Sequence, residues 1–334
     1  MSQPVGCALP APGCVQGEAE MSETTQPIAI GELKRLRVLC ISEIGWLDNN
    51  TLLGDVKAAG GMNASQYHLA WPPFGTLHAE NAAGSSALIE AEELNGKLHR
   101  LLFDTGWNSE WMERRFAEEG VDQLLKRGEI AALIISHEHF DHFWGIGATL
   151  KLCPGITIYV PEGFHSEGLE LIARLGHTGQ VITTRSGDAL QLFSGAALVQ
   201  FPMKTLLQVE GENVLYFNVA NKGVTLVTGC GHGGVLNLLD YAREKLEGGD
   251  RLYAVYGGLH ISPFEEWDEA RERTVQALGT YGISRLGCNH CTGVKAVQAM
   301  IAAGLPVVKG TGRHGSKTDL FIGNGDVLEV SAAD

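Results

Sequence analysis

Short apolar runs alternate with stretches of helical spacing along most of the chain, and many of the runs end in glycine, aspartate, histidine or cysteine. The runs at 37–43, 86–92 and 98–104 predict a first strand followed by a hairpin. Residues 108–127 carry apolar side chains at helical spacing, and 130–135 is a continuous apolar run that is typical of a buried strand. The chain therefore begins with a meander of strands before helices appear.

The remainder of the chain continues this alternation. Further strands are predicted at 156–160, 197–201, 214–219, 223–228, 284–288, 306–310 and 319–323, and covering helices at 234–246, 265–281 and 293–303. This order predicts an α/β sandwich of two mixed sheets with outer helices. The segment 44–84 is longer than a plain connection, and we assign it to substrate recognition.

The first 34 residues differ from the rest in composition. They are rich in proline, glycine, serine and glutamate, and they lack the basic and apolar regions of a secretion signal. We predict a mobile extension over 1–34 and one catalytic domain over 35–334, which is within the length that one folded unit can reach. Met21, which precedes Ser-Glu-Thr-Thr, is an alternative start of the natural chain.

Composition narrows the classes of function. The 334 residues are 44% hydrophobic and 19% charged, which is typical of a soluble globular protein. The formal charge of −14 argues against nucleic acid as a partner, because binding a phosphate backbone needs a basic face. Seven scattered cysteines predict reduced thiols and a cytoplasmic protein. No run reaches the roughly 18 apolar residues of a membrane span, so we expect a small-molecule substrate and no membrane partner, and we leave a homodimer open.

The strongest chemical signal is the segment 136–142, Ser-His-Glu-His-Phe-Asp-His, which directly follows a predicted buried strand. His137 and His139 are two residues apart, so their side chains project to the same side of an extended backbone. Asp141 and His142 follow at the predicted start of a helix and turn toward the same point. This spacing brings four side chains of the metal-ligand type together.

Neutral imidazoles and a carboxylate are ligands that zinc, manganese and iron(II) accept, and a site with open positions can activate water. A lone histidine is more often structural, but the complete pattern after a buried strand predicts a metal site. We expect one or two Zn²⁺ ions, with Mn²⁺ or Fe²⁺ as alternatives. Glu138 and Phe140 alternate to the other side of the backbone and are predicted to pack or to face the surface.

The His-x-His-x-Asp-His segment resembles the signature of the metallo-beta-lactamase fold hydrolases. The resemblance covers about residues 35–330 and implies an αββα four-layer sandwich of two mixed β-sheets, with the metals at the edge between the sheets. It also implies a third histidine for the first metal. His232 in Thr-Gly-Cys-Gly-His-Gly-Gly fits this position, because it too follows an apolar strand.

Two later histidines at strand ends, His260 and His290, match the remaining ligand positions of the superfamily. The resemblance implies that His290 joins Asp141 and His142 at the second metal. His260 stands where the superfamily usually has a bridging aspartate, and an imidazole rarely bridges. His260 is therefore a terminal ligand, a residue that contacts a ligand without binding the metal, or a substrate contact. As catalytic residues we select Asp141, which can orient a water while it ligates, and His260.

A more specific resemblance is carried by the segments AENAAGSSALIE, LLFDTG, TGCGHGGVLN, YGGLHIS and CNHCTG. They are similar to the branch that contains the archaeal dihydropterin-methyl ribofuranosylaminobenzene phosphate synthases. The resemblance implies either pterin C–N bond formation with loss of diphosphate or hydrolysis of an ester, phosphoester or related bond. Phe143-Trp144 departs from the Thr-Gly-Gly that is common at this point of the branch, so we expect a different substrate pocket.

Three functions follow, in order of preference. The first is a metal-dependent hydrolase that activates a metal-bound water against an ester, phosphoester or related bond of a small, anionic substrate. The second is a transferase of the synthase type, in which diphosphate is the leaving group. The third is a metal-dependent small-molecule binder without turnover.

Several other residues have two interpretations each. Asp104 looks like the superfamily aspartate that hydrogen-bonds a ligand histidine, or it belongs to a simple turn. Cys230 and Cys291 are metal ligands or buried small side chains. The segment 309–314 wraps an anionic group or forms a polar turn. The tryptophans that line a planar-ligand pocket or pack in the core are Trp46, Trp71, Trp107 and Trp144.

Overall fold

The structure is a computed structural model that describes residues 26–69, 80–187 and 189–333. Within these ranges the chain forms thirteen strands and nine α-helices. The strands are β1 (Leu33–Ser42), β2 (Ser86–Glu93), β3 (Leu98–Phe103), β4 (Ala132–Ile134), β5 (Thr157–Pro161), β6 (Val181–Thr184), β7 (Ala189–Phe193), β8 (Ala196–Lys204), β9 (Glu210–Val219), β10 (Gly223–Thr228), β11 (Leu252–Gly258), β12 (Arg285–Asn289) and β13 (Val327–Ser331). The helices are α1 (Asn49–Ala58), α2 (Ser109–Glu118), α3 (Val121–Lys126), α4 (Phe140–Phe143), α5 (Ile146–Leu152), α6 (Ser166–Arg174), α7 (Val235–Lys245), α8 (Glu269–Leu278) and α9 (Val294–Ala302).

The strands form two halves that meet at one point. The first half has the order β13-β1-β2-β3-β4-β5-β6, and the second has the order β7-β8-β9-β10-β11-β12. A single parallel pair, Leu33 of β1 with Val219 of β9, joins them. Strands β3 to β6 and strands β10 to β12 pair in parallel, whereas the other neighbours within each half are antiparallel. Both halves are therefore mixed sheets.

Three buried apolar clusters reveal the order of the layers. One cluster lies between the two sheets and contains Phe103 of the first and Phe217 of the second. Another packs α2, α3, α5 and α6 against the outer face of the first sheet, and a third packs α7, α8 and α9 against the second. Successive side chains of β3 point to opposite faces of the first sheet, so Phe103 lies in the cluster between the sheets and Leu102 in the outer cluster. The predicted αββα four-layer sandwich is confirmed.

The predicted elements differ from the structure in a few places. The helix expected over 108–127 is split into α2 and α3, because Gly120 between them has a φ of +72°. Segments 306–310 and 319–323 are not strands, although Val307 makes an isolated bridge to Leu286. Phe321 is buried, so the apolar pattern there indicated burial and not strand pairing. The sequence analysis missed β6, β7, β11 and β13, and it missed α1, α5 and α6.

The folded part of the chain begins before the predicted boundary at residue 34. The N–H of Ile28 donates to the Lys245 carbonyl at 2.7 Å, and the Ile30 carbonyl accepts from the Gly195 N–H at 2.6 Å. Ile30 is also buried in the outer cluster of the second sheet. The predicted boundary is thus too late, because apolar side chains ahead of β1 already pack on the fold. Residues 1–25, including Met21, lie outside the described residues.

Two observations bear on the predictions made from composition. Among the described residues, none of the helices combines the length and the apolar character needed to span a bilayer. The described cysteines all carry free thiols, in agreement with the predicted reduced state. They are Cys40, Cys153, Cys230, Cys288 and Cys291.

Candidate metal centre

The predicted ligands come from strand ends that share one edge of the sandwich. Strands β10, β11 and β12 are parallel neighbours, so the residues that follow them lie side by side. His232, His260 and His290 are these residues, one after each strand. The segment 136–142 follows β4 of the other sheet and enters α4 at Phe140, as predicted. The two sheets thus bring their ligand-type side chains together.

The first group of candidate ligands consists of His137, His139 and His232. Their ring centroids lie 4.7 Å apart for His137–His139, 4.8 Å for His137–His232 and 5.0 Å for His139–His232. Thr205 Oγ1 lies 3.4 Å from Nδ1 of His232, whereas Nε2 of the same ring is buried without a hydrogen-bond partner. The three rings therefore present nitrogens to a common point.

Hydrogen bonds behind the rings fix which nitrogens carry lone pairs. The Leu206 carbonyl can only accept, so His139 Nε2 donates to it at 3.0 Å and Nδ1 keeps a lone pair. Ser136 Oγ donates to Asp104 at 2.7 Å and accepts from His137 Nδ1 at 2.9 Å, so His137 Nε2 also keeps a lone pair. These two lone-pair nitrogens are 2.9 Å apart. They repel each other unless a cation lies between them, and a divalent metal fits this arrangement.

The second group consists of His142, His290 and Asp141. His142 Nδ1 donates to Asp104 Oδ2 at 2.6 Å, and His290 Nδ1 donates to the Glu43 carbonyl at 2.9 Å. Their Nε2 atoms face each other at 3.0 Å. Asp141 Oδ2 lies 3.5 Å from His290 Nε2. The predicted hydrogen bond that Asp104 accepts from a candidate ligand histidine is therefore present.

The imidazoles of this centre are mostly held neutral. Burial lowers the pKa of His137, His232 and His290 below the ordinary value. Burial also lowers the pKa of His139 to about 4. A histidine must be neutral to donate a lone pair to a metal, so these four rings need not lose a proton at neutral pH.

His142 and Asp141 carry charge in the second group. Burial disfavours the charged form of both side chains. The carboxylates of Asp104 and Asp141 nevertheless raise the pKa of His142 to about 9. In turn, His142 and His290 hold the pKa of Asp141 below its usual range. The second group thus stabilises positive charge between buried carboxylates, which is the electrostatic environment that a metal cation requires.

His260 lies beside the first group. Its ring centroid is 4.2 Å from that of His232, and its Nδ1 is buried without a hydrogen-bond partner. The backbone of His260 has a φ of +45°, an uncommon conformation for a residue other than glycine. The other donor atoms close to it are the sulfurs of Cys230 and Cys291. His260 therefore does not stand between the two histidine groups, and its catalytic role stays a prediction.

A cavity opens onto both groups. Its polar floor contains His139, Asp141, His232, His260 and His290. Apolar side chains form its walls, and many of them belong to the segment 44–84 that was predicted to recognise substrate. The apolar wall residues are Trp46, Leu52, Leu53, Val56, Met62, Phe140, Leu206, Leu207, Pro263 and Phe264.

Other predicted features have simpler positions. Trp107 and Trp144 are buried in the outer cluster of the first sheet and so pack in the core, whereas Trp46 also lines the cavity. Trp71 lies outside the described residues. Within the segment 309–314 the basic groups pair with local partners, since Lys309 Nζ lies 3.1 Å from Asp319. The segment does not line the cavity, which favours the polar turn.

Glu138, which was predicted to pack or to face the surface, packs in the interior. It is fully buried, and its carboxylate accepts hydrogen bonds from the Tyr67 hydroxyl and from the backbone N–H of His165 at 2.8 Å. The Glu138 carbonyl also accepts from Gln66 Nε2 at 2.6 Å. Glu138 therefore ties the segment 44–84 to the motif that supplies the ligands. Strand alternation in the sequence placed its side chain correctly but could not indicate these partners.

Glu212 is a residue of the site that the sequence analysis missed. It is buried in β9, and its Oε1 accepts from the N–H groups of Cys230 at 3.0 Å and Gly231 at 2.7 Å and from the Thr228 hydroxyl at 3.0 Å. Its Oε2 accepts from the His232 N–H at 2.7 Å. The carboxylate thereby fixes the turn that carries His232. An acidic residue two positions before the apolar run that starts at Val214 is the sequence signal that could have indicated it.

We expect Glu212→Gln to destabilise the protein and to weaken metal binding. The amide nitrogen cannot accept, so at least one buried N–H of the turn loses its partner, at a cost of about 1–3 kcal/mol. Chemical denaturation of the two proteins measures this difference. Glu210→Gln is the matched control on the same strand, because Glu210 is half-exposed and pairs with Lys204 at the surface. Equal stability of the Glu212 variant and the control would contradict the role of Glu212.

Comparison with a family model and with solved structures identifies the class of fold. A family model described as the metallo-beta-lactamase superfamily matches residues 82–211. Tm1679, a metal-dependent hydrolase of the beta-lactamase superfamily, superposes with a TM-score of 0.54 at 18% identity, covering 89% of this chain and 99% of its own. Zn²⁺-bound PqqB from Methylobacterium extorquens gives 0.51 at 12% identity, with 88% and 99% covered. The chain has the metallo-beta-lactamase fold, and its predicted resemblance to that superfamily is confirmed.

Among proteins of known sequence, the chain is similar to two from Methanocaldococcus jannaschii. One is the 7,8-dihydropterin-6-methyl-4-(beta-D-ribofuranosyl)-aminobenzene-5'-phosphate synthase, which is 25% identical over 291 residues, covering 77% of this chain and 92% of the synthase. The other is the uncharacterised protein MJ0448, which is 27% identical over 241 residues, covering 64% and 85%. The resemblance to the synthase branch that the later motifs indicated is thus confirmed as well.

Proposed function

We propose that the protein is a metal-dependent hydrolase that acts on an ester, phosphoester or related bond of a small substrate. The observation that carries this proposal is the pair of buried histidine groups, whose ring nitrogens face each other at the floor of an apolar cavity. His137, His139 and His232 would hold one metal, and Asp141, His142 and His290 the other. A bound divalent ion lowers the pKa of a coordinated water and polarises a carbonyl or phosphoryl oxygen.

The surrounding residues define how a substrate would lie. The described lining of the cavity contains neither lysine nor arginine, so an anionic group of the substrate would be directed to the metal centre. The rest of the substrate would contact the apolar wall, where Trp46 stacks on Phe264 with ring centroids 5.7 Å apart. An enclosed apolar wall also excludes water from the reacting bond, which strengthens electrostatic interactions at the floor.

Two side chains at the floor could act on the reacting groups, Asp141 by orienting a water and His260 by transferring a proton. Asp141 lines the cavity and has a depressed pKa, so its carboxylate can accept a hydrogen bond from an attacking water. His260 also lines the cavity, and its unpartnered Nδ1 can exchange a proton with a leaving group. Positioned acid–base groups of this kind typically contribute about 10²–10⁴-fold to a rate.

A transferase of the synthase type is the second candidate. The similarity to the Methanocaldococcus jannaschii synthase favours it, because that similarity extends over 92% of the synthase. Such a reaction would use the same centre to bind a diphosphate leaving group while an amine acceptor attacks. Turnover that requires an amine acceptor therefore separates the transferase from the hydrolase.

Metal removal tests the proposal directly. The purified protein is treated with a chelator, reloaded with Zn²⁺, Mn²⁺ or Fe²⁺, and assayed on phosphodiesters, lactones, thioesters and phosphonates. We expect the chelator to abolish turnover and one of the metals to restore it. A metal in hundredfold excess over its Kd should also raise the free energy of unfolding by about 2.7 kcal/mol. Tight ligand capture by the metal-loaded protein without product would instead indicate a binding protein.

A further inference from the structure

Cys230 occupies the place between the two histidine groups. Its sulfur lies 3.2 Å from His142 Nε2. The same sulfur is within 4.8 Å of the donor nitrogens of His137 and His232 in the first group and of His290 in the second. Among the described residues, Cys230 is thus the donor common to the candidate clusters on both sides.

These distances suit direct ligation. Zn–S bonds of about 2.3 Å and Zn–N bonds of about 2.0–2.1 Å place two donors of one tetrahedral zinc about 3.6 Å apart. The separation of 3.2 Å between Cys230 Sγ and His142 Nε2 is close to this value. The unpartnered Nε2 of His232 and the facing nitrogens of His137 and His139 indicate independently that a cation belongs beside the sulfur.

The position of Cys230 is fixed by the fold. Its side chain is only 3% exposed, and its backbone N–H donates to Glu212 at 3.0 Å. Its carbonyl oxygen lies 3.6 Å from Cys291 Sγ, so both ends of the residue are anchored in the turn after β10. The backbone that carries the thiol is therefore held in place beside the histidines.

His260 is less suited to connect the two groups. It is in ring contact with His232 of the first group, and its sequence position led to the expectation that it replaces a bridging aspartate. A neutral imidazole has an available lone pair on one nitrogen and a proton on the other, so it binds a single metal. A thiolate sulfur carries several lone pairs on one atom and can bind two metals at once.

We propose that the Cys230 thiolate bridges the two metal positions, one at His137, His139 and His232 and the other at Asp141, His142 and His290. This inference rests on the metal centre of the proposed function. On binding, the S–H proton passes to solvent and the sulfur forms a bond to each metal. Because thiolate is a soft ligand, the site should take Zn²⁺ or Fe²⁺ in preference to Mn²⁺.

Cobalt substitution provides the test, since a thiolate bound to Co²⁺ gives a charge-transfer absorption in the near ultraviolet. We expect the Co²⁺-loaded wild-type protein to show this band and to bind two ions per chain. Cys230→Ser should lose the band and bind the metal at least about 10–100-fold more weakly. A loss of this size is typical even when the replaced residue only hydrogen-bonds a metal ligand. Cys288→Ser is the control, because Cys288 is buried in β12 outside the clusters and should keep both properties.

The outcomes separate the two proposals. A wild-type protein that binds Co²⁺ without the band overturns the bridging role, whether or not the variants fold, and leaves the proposed function standing. A band that survives in Cys230→Ser but disappears in Cys291→Ser also overturns it and assigns the thiolate to Cys291. If the wild-type protein bound no divalent metal, the result would instead contradict the proposed function itself.

Discussion

Replacing His137 with alanine should reduce metal-dependent turnover by about 10³-fold or more. Metal ions supply several kcal/mol of transition-state stabilisation, and each interval of about 1.4 kcal/mol corresponds to a factor of ten in rate. His137 Nε2 faces both His139 and the sulfur of Cys230, so its loss opens the first group. Steady-state kinetics together with metal analysis by mass spectrometry would measure the effect. Asp141→Ala should act in the same way on the second group.

The control for this experiment is a histidine outside the centre. His177 is half-buried, and its Nε2 hydrogen-bonds the Ile156 carbonyl at 2.7 Å, far in the fold from the ligands. His177→Ala should therefore leave the metal content and kcat close to wild type. Far-ultraviolet circular dichroism would establish that all variants keep the fold. Unchanged activity in both His137→Ala and Asp141→Ala would rule out the centre as the site of catalysis.

Gly45→Ala should damage the second group although residue 45 carries no reactive side chain. A Cβ added at Gly45 would lie 2.7 Å from His290 Cε1 and closer still to Asp141 Oδ2. The backbone passes so near to the ligands that these side chains must shift. A displacement of about 1 Å can lower a rate about 10²-fold, and we expect a loss of this size in kcat. Metal stoichiometry should fall toward one ion per chain.

Gly54→Ala is the matched control for this prediction. Gly54 lies in α1 of the same segment, and no atom lies within 4 Å of a Cβ at that position. Alanine favours the helix over glycine by about 1 kcal/mol, so this variant should be slightly more stable and fully active. If Gly45→Ala kept wild-type kcat and metal content, the placement of Asp141 and His290 against β1 and its following turn would be wrong.

Local sequence could predict those features that depend on neighbours along the chain. Alternation places His137 and His139 on one side of the backbone, and the start of a helix turns His142 back toward them. Apolar runs located nine of the thirteen described strands, six of them within two residues at both ends, since burial between two sheets requires apolar side chains. Short or partly exposed strands such as β6 and β7 were missed, because they bury too few side chains to produce a strong pattern.

Contacts between distant parts of the chain could not be predicted in this way. Cys230 meets His142 across 88 positions, and Glu138 binds Tyr67 across 71. Glu212 reaches His232 from a different strand. No local spacing encodes such pairs, because each depends on how the two sheets face each other. The sequence interpretation therefore left Cys230 as either a metal ligand or a buried small side chain, and it could not name the partners of Glu138.

The sequence by itself indicated nine of the strands, the covering helices α7, α8 and α9 and the candidate metal-ligand motif at 137–142, because these follow from local periodicity and motif spacing. The family resemblance added the later histidines as candidate ligands. Only the tertiary structure decided which nitrogens face one another, that His260 lies beside the first group, and that the thiol of Cys230 lies between the groups. The physical reason is that coordination geometry depends on the packing of β4 against the ends of β10, β11 and β12. That packing is set by the whole core.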